Sequence, residues 1–237
     1  MPINHIPADS RGHANHGWLD SYHSFSFANY YNPDRMNFGL LRVLNDDTVA
    51  AGMGFGAHPH SNMEIISIPL EGDLQHKDSM GNTTVIREGD IQVMSAGTGV
   101  THSEYNHSKE APVKFLQIWI VPNEANVQPR YDQIPLSSSA RPNQLSQVLS
   151  PRPEDEGVWI HQNAWMHLGK FDQETQLTHE VRVPGNGLYA FLLEGKASIN
   201  DNKMEQRDAL AITDEQELSL HMKSGSRLLL IEVPMSN

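Results

Sequence analysis

The sequence contains no cysteine among its 237 residues. Disulfide bonds, thiolate nucleophiles, iron–sulfur clusters and cysteine-rich zinc sites are therefore excluded. Long apolar runs are also absent, since none approaches the roughly 20 residues that span a bilayer. Residues 1–7 lack the basic and apolar regions of a signal peptide. We therefore expect a cytoplasmic protein with no membrane partner.

Basic residues are scarce: 17 lysines and arginines stand against 29 acidic residues, which gives a net charge of −12. Because a phosphate backbone repels a chain of this charge, we expect no nucleic-acid partner. Histidine, by contrast, is abundant, with 13 copies. In the absence of thiols, imidazole and carboxylate groups are the side chains that could bind a transition metal.

Short apolar stretches alternate with turn-forming residues through most of the chain. Four examples are residues 38–44, 64–70, 91–94 and 114–121. Their lengths are those of β-strands, and long segments with a helical apolar period are scarce. The sequence therefore predicts an all-β protein built as a sandwich or barrel.

The chain also looks duplicated. Six of its fourteen prolines lie between residues 122 and 153, which indicates a connecting segment, the alternative being a decorated loop within one domain. Residues 68–74 before this segment match residues 191–197 after it. We therefore expect two stacked antiparallel β-barrels, with an N-terminal domain over residues 1–133 and a C-terminal domain over residues 134–237.

Two short motifs carry the residues best suited to bind a metal. They are His58-Pro59-His60 and His102-Ser103-Glu104. Alternate residues of a strand point to one face, so each motif presents two ligands on the same side. Two such pairs on neighbouring strands could surround one divalent ion. Glycine and asparagine positions frame the motifs: Gly52, Gly72, Gly99 and Asn106.

These framed motifs resemble those of the cupin superfamily and, more narrowly, the pirin family. Glu64 falls one residue earlier than the usual cupin glutamate, and residues 94–99 lack the usual proline of the second motif. Both departures, and the position of Glu104, look like the pirin pattern. Further stretches support the narrower match: residues 17–19, 23–27, 32–36 and 78–82. The resemblance covers the first half of the chain and, more weakly, the second.

The resemblance implies a bicupin of two jelly-roll-like barrels in which only the N-terminal barrel holds a metal. The implied ligands are His58, His60, His102 and Glu104. For Glu64 we expect a structural hydrogen bond in place of metal binding, because a one-residue slip in a strand reverses the face. The remaining unframed histidines are expected at the surface or in hydrogen bonds: His13, His16, His23, His76, His107, His161 and His167.

The C-terminal half offers no equivalent ligand set. When Glu194-Gly195 is aligned with Glu71-Gly72, Val181 and Val183 fall opposite His58 and His60. His179 and Glu180 are then out of register. We therefore expect the second barrel to be structural.

Three imidazoles and one carboxylate leave two open positions on an octahedral ion, as in non-haem iron oxygenases. Iron(II) is favoured, with copper, nickel, manganese and zinc as alternatives. The family resemblance implies a quercetin 2,3-dioxygenase, which opens the central ring of a flavonol with molecular oxygen and releases carbon monoxide. Glu104 would then be both a ligand and the base that takes the 3-hydroxyl proton.

Two other functions are consistent with the same motifs. Pirins are also known as regulators that bind a protein partner according to the oxidation state of their iron, and the acidic surface would suit such a partner better than DNA. An isomerase or a sugar-binding cupin would need no oxygen. Oxygen uptake with quercetin separates the dioxygenase from both alternatives.

Overall fold

The computed structural model describes residues 2–138 and 140–236. Over these residues the regular structure is β-strand, apart from two single-turn 3₁₀ helices at Ala8–Ser10 and Leu136–Ser138. The all-β prediction is therefore confirmed. None of the described helices is long and apolar enough to cross a membrane.

The strands fall into an earlier and a later set. The earlier set is β1 (Ile3–Ile6), β2 (Gly12–Asn15), β3 (Leu19–His23), β4 (Leu41–Val49), β5 (Gly54–His60), β6 (Glu64–Glu71), β7 (Leu74–Asp78), β8 (Thr83–Ile86), β9 (Asp90–Ser95), β10 (Val100–Asn106), β11 (Val113–Ile120) and β12 (Arg130–Pro135). The later set is β13 (Leu145–Ser150), β14 (Val158–Trp159), β15 (Trp165–Phe171), β16 (Thr175–Glu180), β17 (Gly187–Glu194), β18 (Ala197–Ile199), β19 (Asn202–Met204), β20 (Ala209–Ile212), β21 (Glu217–Met222) and β22 (Ser226–Val233).

Each half of the chain pairs a seven-stranded sheet with a four-stranded sheet. In the first half the orders are β12-β9-β6-β11-β4-β3-β2 and β5-β10-β7-β8. In the second half they are β1-β20-β17-β22-β15-β13-β14 and β16-β21-β18-β19. The two plans correspond except at one edge, where β2 pairs antiparallel with β3 but β14 pairs parallel with β13. The matching Glu-Gly turns are part of this repeat, since Gly72 and Gly195 have φ angles of 76° and 78°, which glycine adopts without strain.

The strand β1 joins the sheet of the opposite half. It pairs with β20, Ile3 opposite Ile212, and takes the edge place that β12 holds beside β9 in the first half. The predicted division between residues 133 and 134 falls inside β12 and stays a prediction. The predicted connecting segment contains β12, β13 and a 3₁₀ turn, while Ser139 within it lies outside the described residues.

Closed barrels were expected, but the four sheets formed by the described strands are open. The first and last strands of each order are not hydrogen-bonded to each other. Closure requires a continuous ladder around the ring. Here each half is instead a sandwich of two separate sheets, and cavities lie between them where residues of both sheets form the walls.

The apolar core lies on both faces of the large sheets. The largest cluster joins residues of the two seven-stranded sheets, such as Leu41, Ile66, Phe191 and Leu229. On β17, alternate residues serve two clusters: Tyr189, Phe191 and Leu193 face the other half, whereas Leu188, Ala190 and Leu192 face the second half's own small sheet. A strand buried on both faces explains the uninterrupted apolar run in this part of the sequence.

Candidate metal centre

Two antiparallel strands of the small first-half sheet position the residues that the sequence singled out. His58 and His60 lie on β5, and His102 and Glu104 lie on β10. The register sets His102 directly opposite His58. Residues of β10 alternate between buried and more exposed positions, and both His102 and Glu104 fall on the buried face. The two-residue period of a strand therefore places His102 and Glu104 on the same, buried face of β10.

The three imidazoles of His58, His60 and His102 meet at one point. One ring nitrogen from each lies within 4.8 Å of the others. The ring centroids are 4.5 Å apart for His58 and His102, 4.8 Å for His58 and His60, and 4.9 Å for His60 and His102. This grouping is a candidate metal site, since imidazole nitrogen is a common ligand of transition metals.

Unpartnered nitrogen atoms show that this group fits a metal ion. His60 Nε2 and both ring nitrogens of His102 are shielded from solvent and have no hydrogen-bond partner among the described residues. A buried polar atom without a partner is costly, and coordination of an ion would remove that cost. His58 Nδ1 is engaged, because its N–H donates to the Gly56 carbonyl at 2.7 Å. That bond leaves Nε2 of His58 with the free lone pair a metal needs.

The protonation states also suit metal binding. Burial, with a smaller contribution from the neighbouring His58, lowers the pKa of His60 to about 4. Burial likewise lowers the pKa of His102 to about 2, with contributions from His58 and His60. Both imidazoles are therefore neutral at physiological pH. A cation does not have to displace a proton from them in order to bind.

Glu104 belongs to a second group that shares His102 with the first. One of its carboxylate oxygens lies within 4.8 Å of ring nitrogens of His76 and His102. Ser67 Oγ donates to Oε1 at 3.0 Å, and Gln117 Nε2 donates more weakly to Oε2 at 3.5 Å. Burial raises the pKa of Glu104, although the nearby His76 and the Ser67 hydrogen bond oppose this shift. The carboxylate can therefore hold a proton more readily than an exposed glutamate.

His76 is the site residue that sequence reasoning missed. It was expected at the surface or in a hydrogen bond. The structure buries it completely on β7, with Nε2 bound to Asp78 at 3.0 Å and Nδ1 without a partner. The β7–β10 register sets His76 opposite Glu104. The available signal was the spacing of His76 and Asp78, which places both side chains on one face of a strand.

Glu64 has the hydrogen bond that was expected of it. It is buried on β6, and Ser95 Oγ donates to its Oε2 at 2.7 Å. Burial raises the pKa of Glu64 to about 7. It belongs to neither of the two candidate metal groups found among the described residues.

Two cavities adjoin the site. One, of about 260 Å³, has aromatic walls that include Phe27, Tyr30 and Phe55 and reaches Gln117, the partner of Glu104. The other, of about 340 Å³, is lined by His60 and is open to solvent. A small molecule in either cavity would therefore lie next to a residue of the candidate site.

In the second half, the strand register corrects the predicted alignment. Leu74 and Ala197 follow the two matching Glu-Gly turns and pair with Asn106 and Met222. In the first half, His102 stands four residues before Asn106 and pairs with His58. In the second half, Leu218 stands four residues before Met222 and pairs with His179. His179, not Val181, therefore occupies the position of His58.

The misalignment arises in the connection to the next strand. Three residues separate His60 from β6, whereas five separate its counterpart Val181 from β17. An alignment without gaps cannot register this difference. Apolar residues occupy the other ligand positions: Val181 for His60, Leu218 for His102 and Leu220 for Glu104. The second half therefore has one histidine where the first half has the whole group.

Comparisons with known proteins agree with the two-part plan. The pirin family model matches residues 6–120, and the model of a quercetinase C-terminal cupin domain matches residues 147–233. A quercetin 2,3-dioxygenase from Escherichia coli strain K12 is 45% identical over 227 residues, which are 96% of each chain. A pirin-like protein from Caulobacter vibrioides is 34% identical over 230 residues, 97% of this chain and 99% of that one.

A solved structure of a bacterial pirin is also similar to this chain. A bacterial pirin from Escherichia coli, determined in complex with nickel(II), matches with a TM-score of 0.92 and 43% sequence identity. The match covers 98% of this chain and 99% of the other. The nickel complex of this relative, together with the three imidazoles and the carboxylate described above, supports the binding of a divalent metal ion at this site.

Proposed function

The chain belongs to the pirin family, and from that premise we propose that it is a metal-dependent dioxygenase that opens the central ring of flavonols such as quercetin with molecular oxygen. The observation that carries the proposal is the convergence of three imidazoles, those of His58, His60 and His102, beside the buried carboxylate of Glu104. Relatives named quercetin 2,3-dioxygenase support an oxidoreductase.

In this proposal His58, His60, His102 and Glu104 hold one divalent ion per chain. The buried nitrogens of His60 and His102, which have no hydrogen-bond partner among the described residues, support their part in this set. For His58 the support is the hydrogen bond of Nδ1 to Gly56, which leaves Nε2 for the ion. Four protein ligands leave two positions of an octahedral ion for substrate. We favour iron(II), with copper, nickel, manganese and zinc as the alternatives. When bound, the ion would supply a Lewis acid for the hydroxyl and keto oxygens of the flavonol.

Glu104 is the proposed general base. The carboxylate would take the proton of the flavonol 3-hydroxyl, a role that suits a group whose pKa burial has raised. Oε1 already accepts a hydrogen bond from Ser67, whereas the contact of Oε2 with Gln117 is long. The proton would therefore be held on Oε2. Ser67 and Gln117 would keep the carboxylate in position throughout.

The aromatic cavity is the proposed place for a ring of the substrate. Phe27, Tyr30 and Phe55 provide flat apolar walls, and Gln117 connects the cavity to Glu104. Polar groups such as His23, Asn45 and Asp47 also line the cavity, and a pocket that combines aromatic walls with polar groups can hold and orient a planar organic molecule. The walls would also keep bulk water away from the reacting oxygen atoms.

The test is metal analysis of protein purified without chelators or a histidine tag, combined with a quercetin assay in air and under nitrogen. We expect about one equivalent of metal per chain and loss of quercetin absorbance only in air, with one oxygen molecule consumed for each quercetin. Turnover under nitrogen, or none in air with metal present, would contradict the proposal. Binding of a protein partner that depends on metal oxidation state, without turnover, would favour the regulatory alternative.

A further inference from the structure

The second half of the chain contains two neighbouring cavities outside the candidate metal centre. Their volumes are about 580 and 610 Å³, within the usual range for small-molecule sites. They share three lining residues: Leu145, His167 and Arg182. We call the two together the C-terminal cavity.

The C-terminal cavity lies where the first half has its own aromatic cavity. In the first half Asn45 pairs with Gln117 on β11, and both line that cavity. At the equivalent register position of the second half, His167 pairs with Leu230 on β22. His179, at the position of His58, lies on the facing sheet. The duplicated scaffold has therefore kept the cavity and changed its polar groups.

His167 and His179 have unsatisfied hydrogen-bonding capacity. They are 4% and 9% exposed, and their ring centroids are 4.7 Å apart. His167 Nδ1 and His179 Nε2 are shielded from solvent, and no group in the described part of the chain forms a hydrogen bond with either atom. Two such atoms side by side are costly unless a bound molecule supplies partners for the rings.

The charge next to this pair favours an anion over a cation. Burial, together with the positive charge of Arg182, lowers the pKa of His179 to about 4. Burial, with smaller contributions from His179 and Arg182, lowers the pKa of His167 to about 3. The imidazoles are therefore neutral, and the guanidinium of Arg182 would repel a metal ion. The two histidines belong to neither group of three or more potential metal ligands found among the described residues.

The acidic residues around the cavity leave Arg182 available. Glu156 accepts a hydrogen bond from Arg141 at 2.9 Å. Glu180, next to His179 on β16, lines the cavity but is exposed to solvent, so its charge is screened more than that of a buried group. The remaining wall contains Arg152, Asp155 and the half-buried ring of Trp165. The buried carboxylate of Glu232 accepts the backbone N–H of Arg182 at 2.9 Å and not its guanidinium. The guanidinium donates to the Gln147 amide oxygen at 3.5 Å, a weak interaction.

We propose that the C-terminal cavity is a second ligand site, which binds a small organic carboxylate through Arg182 and the imidazoles of His167 and His179. A guanidinium matches a carboxylate in shape and can donate to both of its oxygens. A neutral imidazole N–H can donate as well. Trp165 would pack against the apolar part of the ligand. This proposal does not depend on the flavonol reaction of the first half.

Calorimetric titration of the metal-loaded protein with benzoate tests the proposal. We expect one benzoate per chain, with a Kd in the millimolar range or tighter that weakens as salt is raised. Benzamide has the same shape without the charge, and we expect it to bind at least tenfold more weakly. Equal binding of benzoate and benzamide would overturn the proposal, since the site would then select shape alone.

Substitutions assign the binding to the proposed residues. Arg182 is exposed, so Arg182→Gln should leave the fold intact and weaken benzoate binding at least tenfold. The exposed Arg87, in the first half, provides the matched control, and Arg87→Gln should not change the affinity. His179→Leu should weaken binding, and His179→Gln, which keeps a donor, should restore part of it. Unchanged affinity in Arg182→Gln would overturn the proposal.

Titration with nickel(II) examines the competing ligand chemistry. If the histidine pair binds a metal, the wild type should take up a second equivalent that is lost in His179→Leu and that competes with benzoate. This result would overturn the carboxylate assignment. We expect the wild type and His179→Leu each to bind a single equivalent of nickel, and we expect benzoate not to change that binding.

Discussion

The two halves of the chain share one strand plan but carry different chemistry at equivalent positions. In the first half, β5 and β10 bring three imidazoles together, and β7 adds His76 beside Glu104. In the second half, the positions of β16 and β21 that are equivalent to the first-half ligands keep one histidine, His179, beside Leu218 and Leu220. The apolar residues that join the sheets are retained in both halves. The comparison teaches that the core maintains the scaffold, while a few inward-facing positions decide what each half can bind.

The sharpest test of this difference is loss of a ligand in the first half. We expect His58→Ala, His60→Ala and His102→Ala each to weaken metal binding on the order of 100-fold or more and to abolish flavonol turnover, because the remaining donors form an incomplete cage. Metal analysis after dialysis and the oxygen-uptake assay measure both effects. Full metal retention in these variants would contradict a single first-half site. Circular dichroism controls for the fold.

A second substitution separates the two roles proposed for Glu104. Glu104→Gln keeps an oxygen that can coordinate but removes the charge and the proton acceptor. If Glu104 is the base, activity per bound metal should fall by roughly 100- to 10,000-fold, the usual contribution of a positioned base. Higher pH should restore part of it, because the flavonol hydroxyl then ionises unaided. Near-wild-type activity per metal would rule out the base assignment.

A third difference between the halves concerns Asp47, which lines the aromatic cavity of the first half. At the equivalent register position the second half has Gly169. Burial raises the pKa of Asp47 to about 7, while a hydrogen bond from Ser21 opposes the shift. The folded state therefore binds this proton more tightly than the unfolded chain does, and stability is lost as pH rises from about 4 to about 7.

Replacing Asp47 tests this pH dependence. The free energy of unfolding of Asp47→Asn, minus that of the wild type, should be higher at pH 8 than at pH 4. We expect this increase to be up to about a few kcal/mol. Denaturant titrations at several pH values measure the difference. A difference that stays constant with pH would show that ionisation of Asp47 does not limit stability.

The smallest expected effect belongs to the residue equivalent to His58. His179→Ala should leave metal content and flavonol turnover within experimental error of wild type, since Val181, Leu218 and Leu220 provide no further ligands. The pair of variants His58→Ala and His179→Ala thus compares one position in two settings. A large loss of metal in His179→Ala would mean that the second half contributes to the metal site.

The all-β fold and the first half's ligand motifs could be predicted from the sequence. Strand-length apolar runs between turns specify strands, and the two-residue period puts His58 with His60 and His102 with Glu104, whatever the rest of the chain does. The matching Glu-Gly turns likewise revealed the repeat, because a left-handed turn favours glycine at the same place in each half. These features depend on residues close together in the chain.

Only the tertiary structure decided what depends on pairing between distant strands. His76 reaches Glu104 through the register of β7 against β10, and β1 completes the sheet of the opposite half. His179 aligns with His58 because a longer connection follows β16, which shifts the match by two residues. It meets His167 because the two sheets of the second half pack together. Register and packing are set by the whole core, so no local pattern encodes them.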